Sequence, residues 1–238
     1  MKRIGLIGGM SWESTVTYYR LLNEAVRDQV GGLASADVLL HSLNFADVVA
    51  LQKAGRWDLA GEMLGRAGAG LAGAGADCVL ICTNTMHLVS ETVEKMAGVP
   101  LIHIIDETAK ALIADGRRKP LLLATRYTME HGFYAERMAR HGLAMTVPGA
   151  EDRGTVHDVI FDELCRGEIR ADSRARFLAI IDRAVASGVD SVILGCTEIS
   201  LLIDPDQLPL PGYDSTAIHA AAAVRFALDR AEAGRQAA

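Results

Sequence analysis

The chain has 238 residues, half of them hydrophobic and 23% charged, which is ample for a solid core and excludes a disordered chain. Its formal net charge of −6 excludes nucleic acid as a main partner, since phosphate binding needs a basic surface, and no Lys/Arg cluster interleaved with aromatics occurs. Apolar runs are strand-sized, so no membrane partner is expected, and Met1-Lys2-Arg3-Ile4-Gly5 enters a strand pattern without a signal-peptide core, which predicts a soluble cytoplasmic protein.

Short β-type runs alternate with helical stretches, which predicts an α/β protein with a mostly parallel sheet. Residues 4–7 read as a strand running into the turn Gly8-Gly9-Met10-Ser11, followed by a helix over 13–30 that Gly31-Gly32 stops. Residues 37–43 read as a second strand, with Asn44 a cap for the next helix. The stretch 57–75 is helical but rich in Ala and Gly; glycine inside a helix costs up to ~1 kcal/mol against alanine, so close packing on the sheet is expected to compensate. A strand over 78–82, a helix over 86–96, a strand over 100–104 and a helix over 107–114 complete the first half.

The pattern then begins again. A strand over 120–124 ends in Thr125-Arg126-Tyr127-Thr128, and a helix runs to about residue 140. Next come a strand over 143–147, helices over 156–165 and 172–186, and a strand over 191–194 ending in Gly195-Cys196-Thr197-Glu198. After a Pro-rich link over 205–211, a helix over 216–233 closes the chain.

Two segments share one design. Ala76-Asp77-Cys78-Val79-Leu80-Ile81-Cys82-Thr83-Asn84 and Val189-Asp190-Ser191-Val192-Ile193-Leu194-Gly195-Cys196-Thr197-Glu198 each carry an Asp, a buried strand, then Cys-Thr-polar before an apolar helix, with a one-residue offset at Gly195. The order of elements therefore predicts two pseudo-symmetric half-domains, one from 1–104 with the C-terminal helix of 214–238 packed back on it, the other from 105–213.

In open parallel sheets ligands sit at the carboxyl ends of strands, which is where Cys82 and Cys196 fall. A helix N-terminus there is expected to favour thiolate and lower the thiol pKa from about 8.5. Thr83, Asn84, Thr85 and Thr197 are suited to capping a helix or holding a ligand carboxylate. Four cysteines without small-domain spacing read as free thiols. Cys78, mid-strand, and Cys165, at a helix end, read as packing residues.

Other chemistries fit less well. The Cys78-x3-Cys82 spacing is not a zinc knuckle, so no metal is expected. His87 would be carried a full turn away by the helix that holds it. A Cys-His-Asp hydrolase stays open, because partners can come from distant sequence, but it leaves Cys196 unexplained. Gly5-x-x-Gly8-Gly9 lacks dinucleotide-fingerprint spacing, and none of the five lysines stands at a strand end beside a phosphate cup, so neither NAD nor pyridoxal phosphate is expected.

Gly8-Gly9-Met10-Ser11-Trp12-Glu13-Ser14, Cys82-Thr83-Asn84-Thr85-Met86-His87, Thr125-Arg126-Tyr127-Thr128-Met129 and Gly195-Cys196-Thr197-Glu198-Ile199 together resemble the aspartate/glutamate racemase family, nearly end to end, and within it the broad-specificity amino-acid racemases. The resemblance implies an active site in the cleft between two half-domains, a homodimer, no cofactor and a small amino-acid substrate. It implies Cys82 and Cys196 as catalytic proton acceptor and donor, and Met10, Ser11, Gln52, Thr83, Asn84, Thr85, Thr125, Thr128, Thr197 and Glu198 as substrate-pocket residues. Members specific for acidic substrates resemble one another in a cationic side chain after the second strand and another near a Leu-x-x-Gly corner. Here those places read Ala46-Asp47-Val48 and Leu164-Cys165-Arg166-Gly167, which points to neutral amino acids such as homoserine, methionine or leucine. The alternatives are an aspartate/glutamate-specific racemase, another isomerase or a decarboxylase on the same scaffold, and a non-enzymatic amino-acid-binding protein.

Overall fold

The structure, a computed structural model, describes residues 1–229. The chain divides into two compact units, Met1–His103 with His219–Ala238, and Ile104–Ile218. Each is an α/β unit built on a parallel sheet.

The first unit comprises β1 (Ile4–Gly8), α1 (Trp12–Val30), β2 (Val38–Ser42), α2 (Phe45–Lys53), α3 (Trp57–Gly73), β3 (Cys78–Ile81), a 3-10 turn (Thr85–Val89) and α4 (Ser90–Ala97). Strand order is β2-β1-β3, and Leu101 adds a single parallel bridge to Val79 on the far side of β3. A full strand over 100–104 does not form. Pro100 has no N–H to enter the ladder, only its carbonyl accepting from Val79, and the next helix starts at Ile104.

Strand alternation divides the core into two layers. Ile4, Leu6, Cys78, Leu80 and Cys82 pack with Tyr18, Leu22 and Val26, spaced by four along α1, and with Ala220, Ala223, Val224 and Ala227. Ile7, Val79 and Ile81 face the other way, onto Leu64, Ala67 and Leu71 of α3 and Val93 and Ala97 of α4. Each fully buried Leu or Ile contributes about 1.5–3 kcal/mol. The small residues of α3 serve its approach to α4: a Cβ on Gly65 would lie 2.3 Å from Met96 Sδ, and one on Gly68 would lie 3.2 Å from Ala97 Cβ. Gly68 also meets the sheet, at Ile7 Cδ1, and Ala67 packs with Ile7, so the small residues serve both the sheet and α4.

The second unit comprises α5 (Ile104–Ala114), β4 (Pro120–Leu123), α6 (Arg126–Glu130), α7 (Phe133–Arg140), α8 (Ala150–Asp162), a 3-10 turn (Leu164–Arg166), α9 (Ala171–Ala186), β5 (Ser191–Leu194), α10 (Ile199–Leu202), a 3-10 turn (Pro205–Gln207) and β6 (Gly212–Asp214). Helix α11 (Ser215–Leu228) starts here, and its residues from His219 belong to the first unit. The helix expected over 216–233 extends past residue 229, so 230–233 lie outside the described residues. The expected helix to residue 140 is broken by Gly132, whose φ of +78° lies in the left-handed region. The strand expected over 143–147 reduces to one bridge, Thr146 to Leu121.

Strand order is β4-β5-β6, with Thr146 on the outer side of β4. In both units, then, the second extended segment pairs with the first, the first with the third, and the third with the fourth. What differs is which segment is worn down to a bridge: the fourth in the first unit, the second in the second unit. The two Asp residues of the shared design have matching structural work. The Arg3 N–H donates to Asp77 Oδ2 (2.5 Å), and the Arg118 and Lys119 N–H groups donate to Asp190 Oδ2 (2.6 and 3.0 Å), each pinning the start of the adjacent strand.

Candidate active site

In the first unit the chain leaves β1 through Gly9, whose φ is +84° and whose added Cβ would sit 2.2 Å from the Leu43 carbonyl oxygen. Only glycine fits. The Gly9 N–H donates to Thr15 Oγ1 (2.8 Å), Thr15 Oγ1 donates to the Ser11 carbonyl (3.0 Å), and Ser11 Oγ accepts from the Ser14 N–H (3.3 Å) as the cap of α1. Met10 is buried beside this turn and packs in one cluster with Met86. Gln52 Nε2 donates to Met86 Sδ (3.1 Å). Gln52 thereby reaches the cluster that also holds Met10.

The Cys82 N–H donates to the Ile7 carbonyl (3.0 Å), so this residue still belongs to the β1–β3 ladder. Its side chain faces the α1 layer with Cys78 and Leu80 and has no exposed surface. Burial pushes the Cys82 thiol far above the ordinary range. Thr83 and Thr85 are half-buried and Asn84 is buried. His87 follows on a 3-10 turn in place of a helix, and its Nδ1 meets the Thr83 carbonyl at 2.8 Å. Because a carbonyl only accepts, Nδ1 carries the hydrogen. His87 packs edge-on to His103 (4.6 Å between ring centroids), and His219 closes the group with Tyr18 Oη at 2.8 Å from its Nδ1. This histidine group, which holds the Thr83 carbonyl, was missed in the sequence, where three histidines far apart in the chain give no local signal.

In the second unit the ladder ends one residue earlier relative to the cysteine. The Gly195 N–H donates to the Leu123 carbonyl (2.8 Å), as Cys82 does to Ile7, and Cys196 follows beyond the last ladder bond. The Cys196 thiol is half-buried and donates to Glu198 Oε2 (2.9 Å), which also accepts from Thr197 Oγ1 (2.6 Å). Burial first, then the Glu198 charge and hydrogen bond, raise the Cys196 thiol well above its ordinary value. On the neighbouring turn, Thr125 Oγ1 and Thr128 Oγ1 lie 3.2 Å apart, with Thr128 buried. Strands β4 and β5 are parallel neighbours, so this turn and the cysteine turn share one carboxyl edge.

The lowering of thiol pKa expected from helix N-termini is not found. Cys82 is followed by a 3-10 turn and Cys196 by a four-residue helix, too short for a strong dipole, and desolvation prevails. Cys78, with burial pushing its thiol up to about 12, packs in the strand. Cys165 lies on the turn Leu164–Arg166 and acts electrostatically on Cys196. Arg166, exposed, pairs with Asp162 (3.3 Å). Among the described residues no group of three His, Cys, Asp or Glu is arranged to hold a metal ion, and no helix is long and apolar enough to cross a membrane.

Comparison with known proteins agrees with this architecture. A solved structure of a candidate Asp/Glu racemase from Yersinia pestis is similar with a TM-score of 0.92 and 46% identity, over 96% of this chain and 100% of that one. An aspartate racemase homologue from Pyrococcus horikoshii OT3 superposes with a TM-score of 0.86 at 32% identity, over 96% and 100%. The broad specificity amino-acid racemase RacX of Bacillus subtilis (strain 168) is 22% identical over 150 residues, 60% of this chain, and the match spans 61% of that relative's length. The family model for Asp/Glu/hydantoin racemases matches residues 7–223. The chain therefore belongs to the Asp/Glu/hydantoin racemase family.

Proposed function

We propose that the protein is an amino-acid racemase that needs no cofactor, acting preferentially on neutral substrates, with Cys82 and Cys196 as its acid–base pair. The observation that carries this reading is the recurrence of a Cys-Thr turn at the end of the third strand in two sheets of the same strand order. Family membership supports the reaction class.

Inverting a stereocentre requires removing the Cα proton from one face and returning one to the other. One cysteine enters as thiolate and takes that proton, so C–H breaks and S–H forms; the other gives its own, so S–H breaks and C–H forms. The protonation states of the two thiols are then exchanged, and the reverse reaction begins from that exchanged state. The hydroxyls and amide of Thr83, Asn84, Thr85, Thr125 and Thr128 supply donors for the substrate carboxylate as charge develops next to it. The substrate ammonium brings a cation that opposes the cost of a buried thiolate.

The neutral preference rests on Arg166. It is the cation nearest to the place where a lysine would serve an acidic side chain, yet it is exposed and held by Asp162. Pairing with a second copy belongs to the same reading and is supported by Trp12, Val16 and Tyr19, exposed at a spacing of four and three along α1. Sedimentation should show Tyr19→Arg lighter than wild type; unchanged mass would place the interface elsewhere.

The deciding experiment incubates single enantiomers of homoserine, methionine, leucine, aspartate and glutamate in D2O. We expect Cα deuterium to appear as optical rotation is lost, faster for the neutral substrates. Cys82→Ser and Cys196→Ser should each slow racemisation on the order of 10³-fold with folding intact. Full activity in Cys196→Ser would overturn the two-cysteine assignment. Release of carbon dioxide would instead indicate decarboxylation, and binding without exchange a non-enzymatic role.

A further inference from the structure

The Cys-Thr turns of the two units differ in one chemically decisive residue. Aligned on their cysteines, Cys82-Thr83-Asn84 corresponds to Cys196-Thr197-Glu198, an amide in the first unit against a carboxylate in the second. The carboxylate faces inward: Glu198 is only 6% exposed, and its Oε2 takes both the Cys196 S–H (2.9 Å) and the Thr197 O–H (2.6 Å). An S–H that donates to a buried carboxylate is held, because losing the proton would leave two negative charges within 3 Å.

We propose that Glu198 is a positioning residue that keeps the proton on Cys196 and fixes the direction in which that S–H points. This rests on the reading of Cys82 and Cys196 as the acid–base pair, and it differs from the role in substrate binding that the family resemblance gives Glu198. The ionisable groups acting on Cys196 are Glu198 on its own turn and Cys165 on the turn Leu164–Arg166, and both oppose thiolate. Glu163, which precedes that turn, is engaged by Arg176 Nη2 (3.2 Å) and by Ser173. In proton transfer, Thr197 keeps the shared oxygen oriented, and the S–H vector is set by the carboxylate rather than by free rotation about Cβ–Sγ. Sulfur is the donor in this bond, and Glu198 acts as the anchor of its proton and not as a base that removes it.

Alkylation of Cys196 with iodoacetamide, followed across pH by peptide mapping, reads this directly and works whatever reaction the enzyme performs. In the wild type the midpoint should lie above the ordinary thiol value of about 8.5. In Glu198→Gln, which keeps the size and an acceptor oxygen but removes the charge, it should fall by roughly one unit or more, a gain of about tenfold in rate at fixed lower pH. Glu198→Asp should restore a raised midpoint. A wild-type midpoint at or below 8.5 would overturn the proposal without recourse to any variant. Slower alkylation of Glu198→Gln at neutral pH would overturn it too, by showing that the carboxylate removes the proton. A lowered midpoint alongside an absence of racemisation in D2O would leave the anchor standing and remove the racemase reading instead.

Discussion

The two units build one plan in different materials. The first ends its third strand on Cys82, inside the ladder and sealed from solvent; the second ends on Gly195 and sets Cys196 one residue beyond, half-buried. The first backs its cysteine with a histidine group that reaches the Thr83 carbonyl, and the second with a carboxylate that reaches the sulfur itself. One cysteine is thus conditioned through its surroundings and its backbone, the other through a direct hydrogen bond. Equivalent places in a repeated fold need not be equivalent acids.

The sharpest way to break the comparison is through the glycines that shape the turns. Gly9→Ala adds a Cβ 2.2 Å from a backbone oxygen at a positive φ, and we expect a loss of about 3 kcal/mol in urea unfolding. Gly195→Ala meets its closest neighbour at the flexible Leu122 Cδ1 (2.7 Å), with no positive φ, and should lose only about 1 kcal/mol. Equal losses would mean that the second turn is as tightly built as the first.

A smaller effect concerns protons. Burial raises the thiols of Cys78, Cys82 and Cys196, so the folded protein keeps protons that the unfolded chain releases above about pH 8.5. The folded state is then the more protonated, and stability must fall as pH rises, by about 1.4 kcal/mol per unit for each thiol. Cys78 holds its proton to about 12, so Cys78→Ala should lose about 2 kcal/mol less than wild type between pH 8.5 and 10. Parallel stability–pH curves for the two proteins would show that the thiol at position 78 ionises normally.

Much of this was legible in the residues. Runs such as Cys78–Ile81 and Ser191–Leu194, short, largely apolar and bounded by turn residues, read as buried parallel strands, and their shared Cys-Thr ends mark the candidate site. Other features depend on distance in space. Gly212-Tyr213-Asp214 follows a Pro-rich link and was assigned no element, yet it forms β6, beside which the Val192 N–H finds the Pro211 carbonyl. The second and fourth extended segments fade to bridges at Thr146 and Leu101, which composition does not reveal. The place of Glu198 was legible as a polar residue after Cys-Thr, but its inward turn onto sulfur is set by packing around a buried carboxylate.

The extra residue at Gly195 carries a consequence for anyone who would rebuild this protein from a single repeated module. Side chains along a strand alternate with a period of two, so one residue more or less moves a group to the other side of its sheet or off its end. A chain assembled from two copies of the first half would keep both sulfurs within their ladders and pointing at the α1-type layer, sealed as Cys82 is. The working asymmetry would be lost through the parity of the count, with every cysteine still present.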